Sequence, residues 1–146
     1  MKDWAENGWL QRLDFDRADI LKLLEAVQRD LDTARLPGLH PDWKFNIAYN
    51  AVLGAAAAAL AAEGYRPARD QHHLEVLDSL RFTLEIDSKC SRKLDLCRKK
   101  RNAGVYEQVG AVSEEEAAEM AEIAASLRSA LLAWLRIRHP DLHPGS

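Results

Sequence analysis

Apolar residues recur at helical spacing along nearly the whole chain, and this periodicity is what most constrains its fold. Ile20, Leu24, Val27 and Leu31 follow one another at spacings of four, three and four residues. Such spacing places side chains on one face of an α-helix, whereas a half-buried strand would alternate apolar and polar residues. The sequence shows no such alternation, and it therefore predicts an all-α protein without strands.

Capping and turn residues divide this pattern into five helices. Pro41 suits the first turn of the second helix, and Gly64 suits the position just after its end. Ser88 is a candidate N-cap for the fourth helix, and Ser113 with Glu116 forms a capping box at the fifth. The predicted helices cover about 16–34, 41–62, 71–85, 89–107 and 114–138.

The expected architecture is an antiparallel up-and-down bundle of four or five helices with short connections. At 146 residues the chain is about one domain long, spanning 1–146. Residues 1–15 are expected to be an N-terminal arm and 140–146 a frayed tail. The run Ala55 to Ala59 fits the second helix, because alanine has the highest helix propensity and allows neighbouring helices to approach closely.

Composition excludes several classes of protein. A chain that is 47% hydrophobic and 29% charged has the makeup of a globular domain rather than a disordered one. No run of 18 apolar residues and no apolar signal segment is found, so we expect no membrane association and a cytoplasmic location. Cys90 and Cys97 would lie about 10.5 Å apart along one helix, too far for a disulfide, and are expected to be core or half-buried thiols.

Positive charge is concentrated in residues 89–101. This segment holds seven basic side chains and one acid, about +6, so the rest of the chain carries about −9 to give the net −3. Clustered lysines and arginines attract phosphates, because their binding releases condensed counterions. The alternative is a solvated helix face. The acidic remainder favours a local cleft, whose candidate phosphate-binding residues are Arg92, Lys93, Arg98, Lys99 and Lys100.

The same predicted helix carries a polar stripe. Arg98, Asn102 and Tyr106 are spaced i, i+4 and i+8, so they share one face, and Arg101 lies about 100° around the helix from Asn102. A guanidinium, a carboxamide and a phenol thus gather within two turns. They form either a binding site or a buried polar network that ties helices together.

Several short segments occur in a particular order and spacing over roughly residues 41–138. They are Tyr49-Asn50-Ala51, Gly64-Tyr65-Arg66-Pro67, His72-His73, Lys100-Arg101-Asn102-x-x-x-Tyr106-Glu107 and Ser113-Glu114-Glu115-Glu116-Ala117. In this order and spacing they resemble the HEPN family (higher eukaryotes and prokaryotes nucleotide-binding). The similarity is greatest to the small stand-alone bacterial and archaeal members with R-N-x-x-x-Y-type motifs.

The resemblance implies an all-α bundle that dimerises, with the arginine motifs of two protomers facing a shared cleft. Many HEPN proteins are metal-independent ribonucleases that act as toxins, often beside a nucleotidyltransferase antitoxin. Their motif is an arginine followed, after four to six residues, by a histidine. Arg101 and Asn102 match its start, and Tyr106 stands where the histidine would be. The resemblance thus implies three catalytic residues: Arg101 would bind the scissile phosphate, and Asn102 and Tyr106 would position that phosphate.

Tyr106 departs from the motif in a way that bears on catalysis. The 2′-hydroxyl must lose a proton near neutral pH, and histidine titrates at about 6.5 whereas tyrosine titrates at about 10. Binding can therefore survive where cleavage does not. His72 and His73 open the third predicted helix, whose N-terminus favours a neutral imidazole. Either could replace the missing base, and capping or packing is the alternative role.

Three functions remain as alternatives. The first is an RNA-directed HEPN protein, either a ribonuclease toxin or a degenerate relative. The second is a non-catalytic module that binds a nucleotide, RNA or protein, and the third is a helical interaction protein whose polar stripe sets the register of a dimer. The expected partners are RNA or a nucleotide, a second copy of the chain and a nucleotidyltransferase antitoxin. No cofactor or metal motif is found in the sequence, so none is expected.

Overall fold

The described part of the chain forms five α-helices, and the all-α prediction is confirmed at that level. The computed structural model describes residues 10–12, 15–67, 73–106 and 112–144, with side chains within 15–66, 74–101 and 112–144. The helices, α1 to α5 in chain order, are Arg17–Ala34, Pro41–Ala62, His73–Asp78, Ser88–Tyr106 and Glu114–Arg138. Short 3-10 turns, Ser79–Arg81 and Pro140–Leu142, follow α3 and α5.

The second helix, α2, lies at the centre of the bundle and packs mainly against α1 and α5. Its alanines make this possible, since Ala55, Ala56 and Ala59 are fully enclosed. A Cβ added at Gly54 would lie 2.9 Å from Val27 Cγ2, so α1 approaches α2 too closely there for a larger residue. The alanine-rich sequence is thus a packing surface for two neighbours.

By length and composition alone, α2 would also be able to cross a membrane, and it is the one helix among the described residues that meets this criterion. Most of the apolar stretch is buried inside the bundle. Because a core helix of a globular protein passes the same test, the central position of α2 accounts for its composition.

Antiparallel packing of consecutive helices agrees with the predicted up-and-down arrangement. Lys93 in α4 pairs with Glu119 in α5, whereas Lys100, seven residues after Lys93, pairs with Glu116. The partners therefore run in opposite directions along α4 and α5. A connection of six residues, 35–40, likewise returns the chain from α1 to α2.

Contacts at both ends of the bundle set the register between α2 and α5. Asp42 Oδ1 accepts a hydrogen bond from the backbone N–H of Val112 at 3.4 Å, just before α5 begins. At the other end Arg138 Nε donates to Glu63 Oε1 at 2.5 Å. The N-termini of α2 and α5 therefore lie at one end of the bundle, and their C-termini at the other.

The helix termini show why the predicted boundaries are close to the observed ones. Ser113 and Glu116 form the predicted capping box, in which each side chain accepts the other's backbone N–H at 3.1 Å. Asp16 and Asp19 form a second one before α1. Gly64 has a φ of +90°, the left-handed conformation expected after a helix end.

The prediction of no strands is wrong. Leu10–Arg12 (β1) pairs antiparallel with Tyr65–Pro67 (β2), with Gln11 opposite Arg66. Part of the expected N-terminal arm therefore joins the loop that follows α2. A strand of three residues is too short to show an alternating pattern, so this pair could not be predicted from residue spacing.

The third helix is shorter than predicted, and the fourth helix is capped by a different residue from the one predicted. The Ser79 hydroxyl donates to the carbonyl of Val76, and the Thr83 hydroxyl donates to the carbonyl of Ser79. Such local bonds compete with a regular helix, and the chain passes into a 3-10 turn. Ser88 is already helical; the carboxylate of Asp87 caps α4 by accepting the Cys90 N–H at 2.7 Å.

The expected fraying of the C-terminal tail is wrong for residues 140–144. Leu142 and His143 are 8% and 7% exposed, so both are buried against the bundle. Arg17 Nη2 donates to the carbonyl of Pro144 at 3.0 Å, which ties the tail to the start of α1. The apolar side chain of Leu142 gains burial that a frayed tail would lose.

Candidate nucleic-acid interface

The inner face of α4 carries an arginine in line with its apolar residues. Cys90, Leu94, Cys97 and Arg101 follow at spacings of four, three and four. Leu94 is buried, whereas both cysteines and Arg101 are half-buried. The half-buried state of the free cysteines agrees with the prediction, and burial raises the pKa of both thiols. Arg101 therefore points toward the bundle, whereas Lys89, Arg92, Lys93 and Lys99 are exposed.

Arg101 rests on a buried aromatic ring. Its guanidinium carbon lies 5.1 Å from the ring centroid of Tyr49, which is fully enclosed in α2. Its Nε is buried and has no hydrogen-bond partner among the described residues. A cation over a tyrosine face is stabilised by about 0.5–2 kcal/mol. The ring fixes where the guanidinium lies but leaves its charge without a carboxylate partner in the described part of the chain.

The same surroundings change the pKa of Tyr49. Burial raises the pKa of its phenol to about 12, and the positive charges of Arg101 and Arg98 partly oppose that shift. The phenol is therefore neutral at physiological pH, and the cation–π contact keeps an uncharged ring beneath the guanidinium.

This shift predicts a loss of stability in alkali. Because the folded-state pKa lies above the usual value of about 10, the folded protein holds a proton that the unfolded chain releases. The contribution of Tyr49 is complete below pH 10 and falls as pH rises toward about 12. Urea unfolding at pH 9 and 11 should show a smaller drop in Tyr49→Phe than in the wild type. Equal drops in the two proteins would contradict the buried phenol.

Two of the predicted phosphate-binding residues are paired within α4. Arg98 donates from Nε and Nη2 to Asp95 Oδ1 at 3.1 and 3.0 Å, and Lys99 Nζ lies 3.2 Å from Asp95 Oδ2. Hydrogen bonds from Arg98 and Lys99 lower the pKa of Asp95, so its carboxylate stays charged. The single acid of the basic segment thus neutralises part of its charge.

Two further lysines pair with the next helix. Lys93 Nζ contacts Glu119 Oε1, and Lys100 Nζ lies 3.3 Å from Glu116 Oε2. Neither glutamate was predicted as a partner of a lysine. Both lie on the acidic first half of α5, and nothing in their local spacing relates them to α4.

Arg92 is the one predicted phosphate ligand for which the described part of the chain provides no ion pair. It is exposed, and no carboxylate pairs with it in the described part of the chain. It lines a groove of about 410 Å³ between α3 and α4, together with Leu74, Leu77, Asp78 and Asp95. Lys89, one turn earlier, is likewise exposed and without an ion pair among the described residues.

A second groove separates α4 from α5 on the opposite side of Leu96. It measures about 340 Å³, and its apolar lining comes from α2, α4 and α5. The two lysine–glutamate pairs cross it. The apolar residues that line it are Phe45, Leu96, Cys97, Met120 and Ile123.

The remaining candidates are placed only in part. Asn102 and Tyr106 lie in the last turns of α4, and His73 begins α3, but their side chains lie outside the described residues, as does all of His72. Arg98, Asn102 and Tyr106 thus lie on one continuous helix, as their predicted common face requires. Among the described residues, no group of three or more histidine, cysteine, aspartate or glutamate side chains could hold a metal ion.

Comparison of the chain with protein-family models, with curated proteins and with solved structures yields no match.

Proposed function

We propose that the protein is a HEPN-like RNA-binding protein whose α4 surface takes up the phosphates of a single-stranded RNA. The observation that carries the proposal is the environment of Arg101. Its neighbours Arg98, Lys99 and Lys100 are matched with acids, whereas Arg101 is held by an aromatic ring and is matched with none in the described part of the chain. A positioned guanidinium with its charge unpaired suits a phosphate, which accepts two parallel hydrogen bonds from it.

Binding is proposed rather than cleavage. The tyrosine at position 106 replaces the histidine of the family motif, and an unperturbed phenol is a poor general base near neutral pH. Arg101 can stabilise a bound phosphate without such a base. His72 and His73 remain the residues that would have to supply one if cleavage occurs.

The proposal includes a homodimer with α4 near the two-fold axis. Its basis is the resemblance to HEPN proteins, in which the arginine motifs of two protomers face a shared cleft, so that the two α4 surfaces would border one phosphate-binding site. Leu96, 65% exposed between the two grooves, would supply an apolar contact at such an interface. A monomer in light scattering at micromolar concentration would contradict this arrangement.

A protein-binding module is the second candidate, and one observation favours it. Leu74 and Leu96 are 48% and 65% exposed on either side of the groove that contains Arg92. Exposed apolar residues beside a groove are typical of surfaces that bind proteins. This candidate replaces the first if the protein binds no RNA.

The test compares two exposed arginines. Arg92→Gln removes a charge from the proposed surface, and Arg136→Gln removes one from exposed Arg136 near the far end of α5. We expect Arg92→Gln to weaken binding of a fluorescent single-stranded RNA about threefold and to lower the slope of log Kd against log salt by about 0.7, the value for one phosphate contact. Arg136→Gln should change neither quantity.

Cleavage is followed in the same reactions, without added metal, in the wild type and in Tyr106→Phe. Intact RNA with salt-dependent binding is the expected result. Cleavage that disappears in Tyr106→Phe would replace the binding proposal by a ribonuclease that uses the phenol. No binding and no cleavage would reject an RNA-directed function.

A further inference from the structure

Two ion pairs join α4 to α5 across an apolar groove. Lys93 pairs with Glu119 and Lys100 pairs with Glu116, and the backbones of these helices otherwise make little contact. The two lysines are predicted phosphate ligands, whereas the two glutamates form no other ion pair in the described part of the chain. Each of these lysines can therefore pair either with a carboxylate of α5 or with a phosphate of the RNA.

We propose that Glu116 and Glu119 are internal competitors of phosphate, so that RNA reaches Lys93 and Lys100 only by displacing them. This inference rests on the proposed function and adds to it a means by which the protein limits its own affinity. Each displacement exchanges one anion for another at the lysine, and the released carboxylate returns to water.

The exposure of the four side chains makes this exchange reversible. The side chains of Lys93 and Glu119 are 48% and 51% exposed, and those of Lys100 and Glu116 are 35% and 43% exposed. Ion pairs in such surroundings contribute about 0–1 kcal/mol, because water and salt screen them. A phosphate can therefore compete with the carboxylates without unfolding any part of the bundle.

The competition also selects for length in the ligand. A lone phosphate that replaces one carboxylate at Lys93 gains little, since the lysine was already neutralised. A strand that first binds Lys89 and Arg92, neither of which has an ion pair in the described part of the chain, brings further phosphates to Lys93, which follows Arg92 directly and lies about one turn after Lys89. Chains of several phosphates are thus favoured over mononucleotides.

The decisive variants are Glu116→Gln and Glu119→Gln, singly and together. Glutamine keeps the size of the side chain, and at Glu116 it keeps the acceptor of the capping box with Ser113. The matched controls are Glu115→Gln and Glu122→Gln, which remove the same charge from exposed positions of α5 that have no ion pair among the described residues. Both pairs of variants change the net charge equally.

The probe is a short fluorescent oligouridylate, titrated at several salt concentrations. We expect the Glu116→Gln/Glu119→Gln protein to bind it three- to tenfold more tightly than the Glu115→Gln/Glu122→Gln protein. The slope of log Kd against log salt should steepen by about 0.7 for each lysine released to a phosphate. Equal affinities and equal slopes in the two double variants would overturn the competition while leaving RNA binding in place.

A second measurement separates the competition from RNA binding itself. Acetylation of each lysine by a water-soluble amine reagent is followed by mass spectrometry in the absence of RNA. The rates at Lys93 and Lys100 should rise in the Glu116→Gln/Glu119→Gln protein relative to Lys89, which serves as the internal reference. Unchanged rates would overturn the pairing on which the inference depends. Faster rates without RNA binding by any variant would instead reject the proposed function, and with it phosphate as the competing anion.

Discussion

Replacing Arg101 by alanine is expected to lower the affinity for a single-stranded RNA by about tenfold to a hundredfold. A charge-assisted hydrogen bond is worth about 1.5–3 kcal/mol, and each 1.4 kcal/mol changes Kd tenfold. The Arg101 guanidinium can pair with two phosphate oxygens, and the Tyr49 ring holds it in place. Its loss therefore removes both a positive charge and a fixed pair of hydrogen-bond donors. Fluorescence anisotropy at constant salt measures the change, and Arg136→Ala is the control for a lost exposed arginine.

The ring beneath Arg101 is tested by a graded series at position 49. Tyr49→Phe keeps the face of the ring and should retain affinity within about twofold, because the cation–π attraction does not require the hydroxyl. Tyr49→Leu removes the ring and should weaken binding severalfold. Thermal unfolding followed by circular dichroism checks that each variant is folded, since Tyr49 is fully buried.

Arg101→Lys distinguishes charge from shape. A lysine keeps the charge but lacks the planar fork that pairs with two phosphate oxygens, so its affinity should fall between the wild type and Arg101→Ala. Wild-type affinity in Arg101→Ala, at every salt concentration, would show that Arg101 only packs on Tyr49. The proposed RNA surface would then lose its central residue.

Most helix boundaries could be predicted because local chemistry sets them. Pro41 and Gly64 bracket α2, and the capping box at Ser113 starts α5, so these helices begin and end within a residue or two of expectation. The third helix differs because the hydroxyl groups of Ser79 and Thr83 donate hydrogen bonds to backbone carbonyls, where the leucine spacing alone predicts a continuing helix.

The missed strands and ion pairs share a different cause. β1 and β2 lie more than 50 residues apart in sequence, and Lys93 lies 26 residues before Glu119. Such contacts depend on how whole helices and loops pack, which one sequence does not show. The concentration of basic residues in 89–101 predicted a phosphate site, but it did not indicate which of its lysines would meet acids from α5.

Arg101 shows what local spacing could have shown. It continues the apolar stripe of Cys90, Leu94 and Cys97, so its inward position was available from the same periodicity that defined the helices. The prediction instead assigned Arg101 to the scissile phosphate from the family motif and did not use its register with the apolar stripe. An arginine in register with an apolar stripe needs a partner inside the bundle, and here that partner is Tyr49.

The alanine run of α2 predicts the largest change in stability. Ala56 is fully enclosed, whereas its neighbour Ala57 is half-buried. Ala56→Leu adds three carbon atoms where no space is left, and overpacking of this kind costs about 1–3 kcal/mol and occasionally more. For a chain of this length, each kcal/mol lowers Tm by about 2–4 °C. We therefore expect Tm to fall by several degrees in Ala56→Leu.

Ala57→Leu is the matched control, because it introduces the same side chain one residue later in the same helix. Alanine and leucine differ little in helix propensity, so the free energy of unfolding should change by only about 0.5 kcal/mol. Urea unfolding of both variants measures the difference. Similar losses in the two would mean that helix propensity, not close packing of α1 and α5 against α2, determines the alanine content. A large loss confined to Ala56→Leu would instead place the tightest packing on the face of α2 that carries Ala55, Ala56 and Ala59.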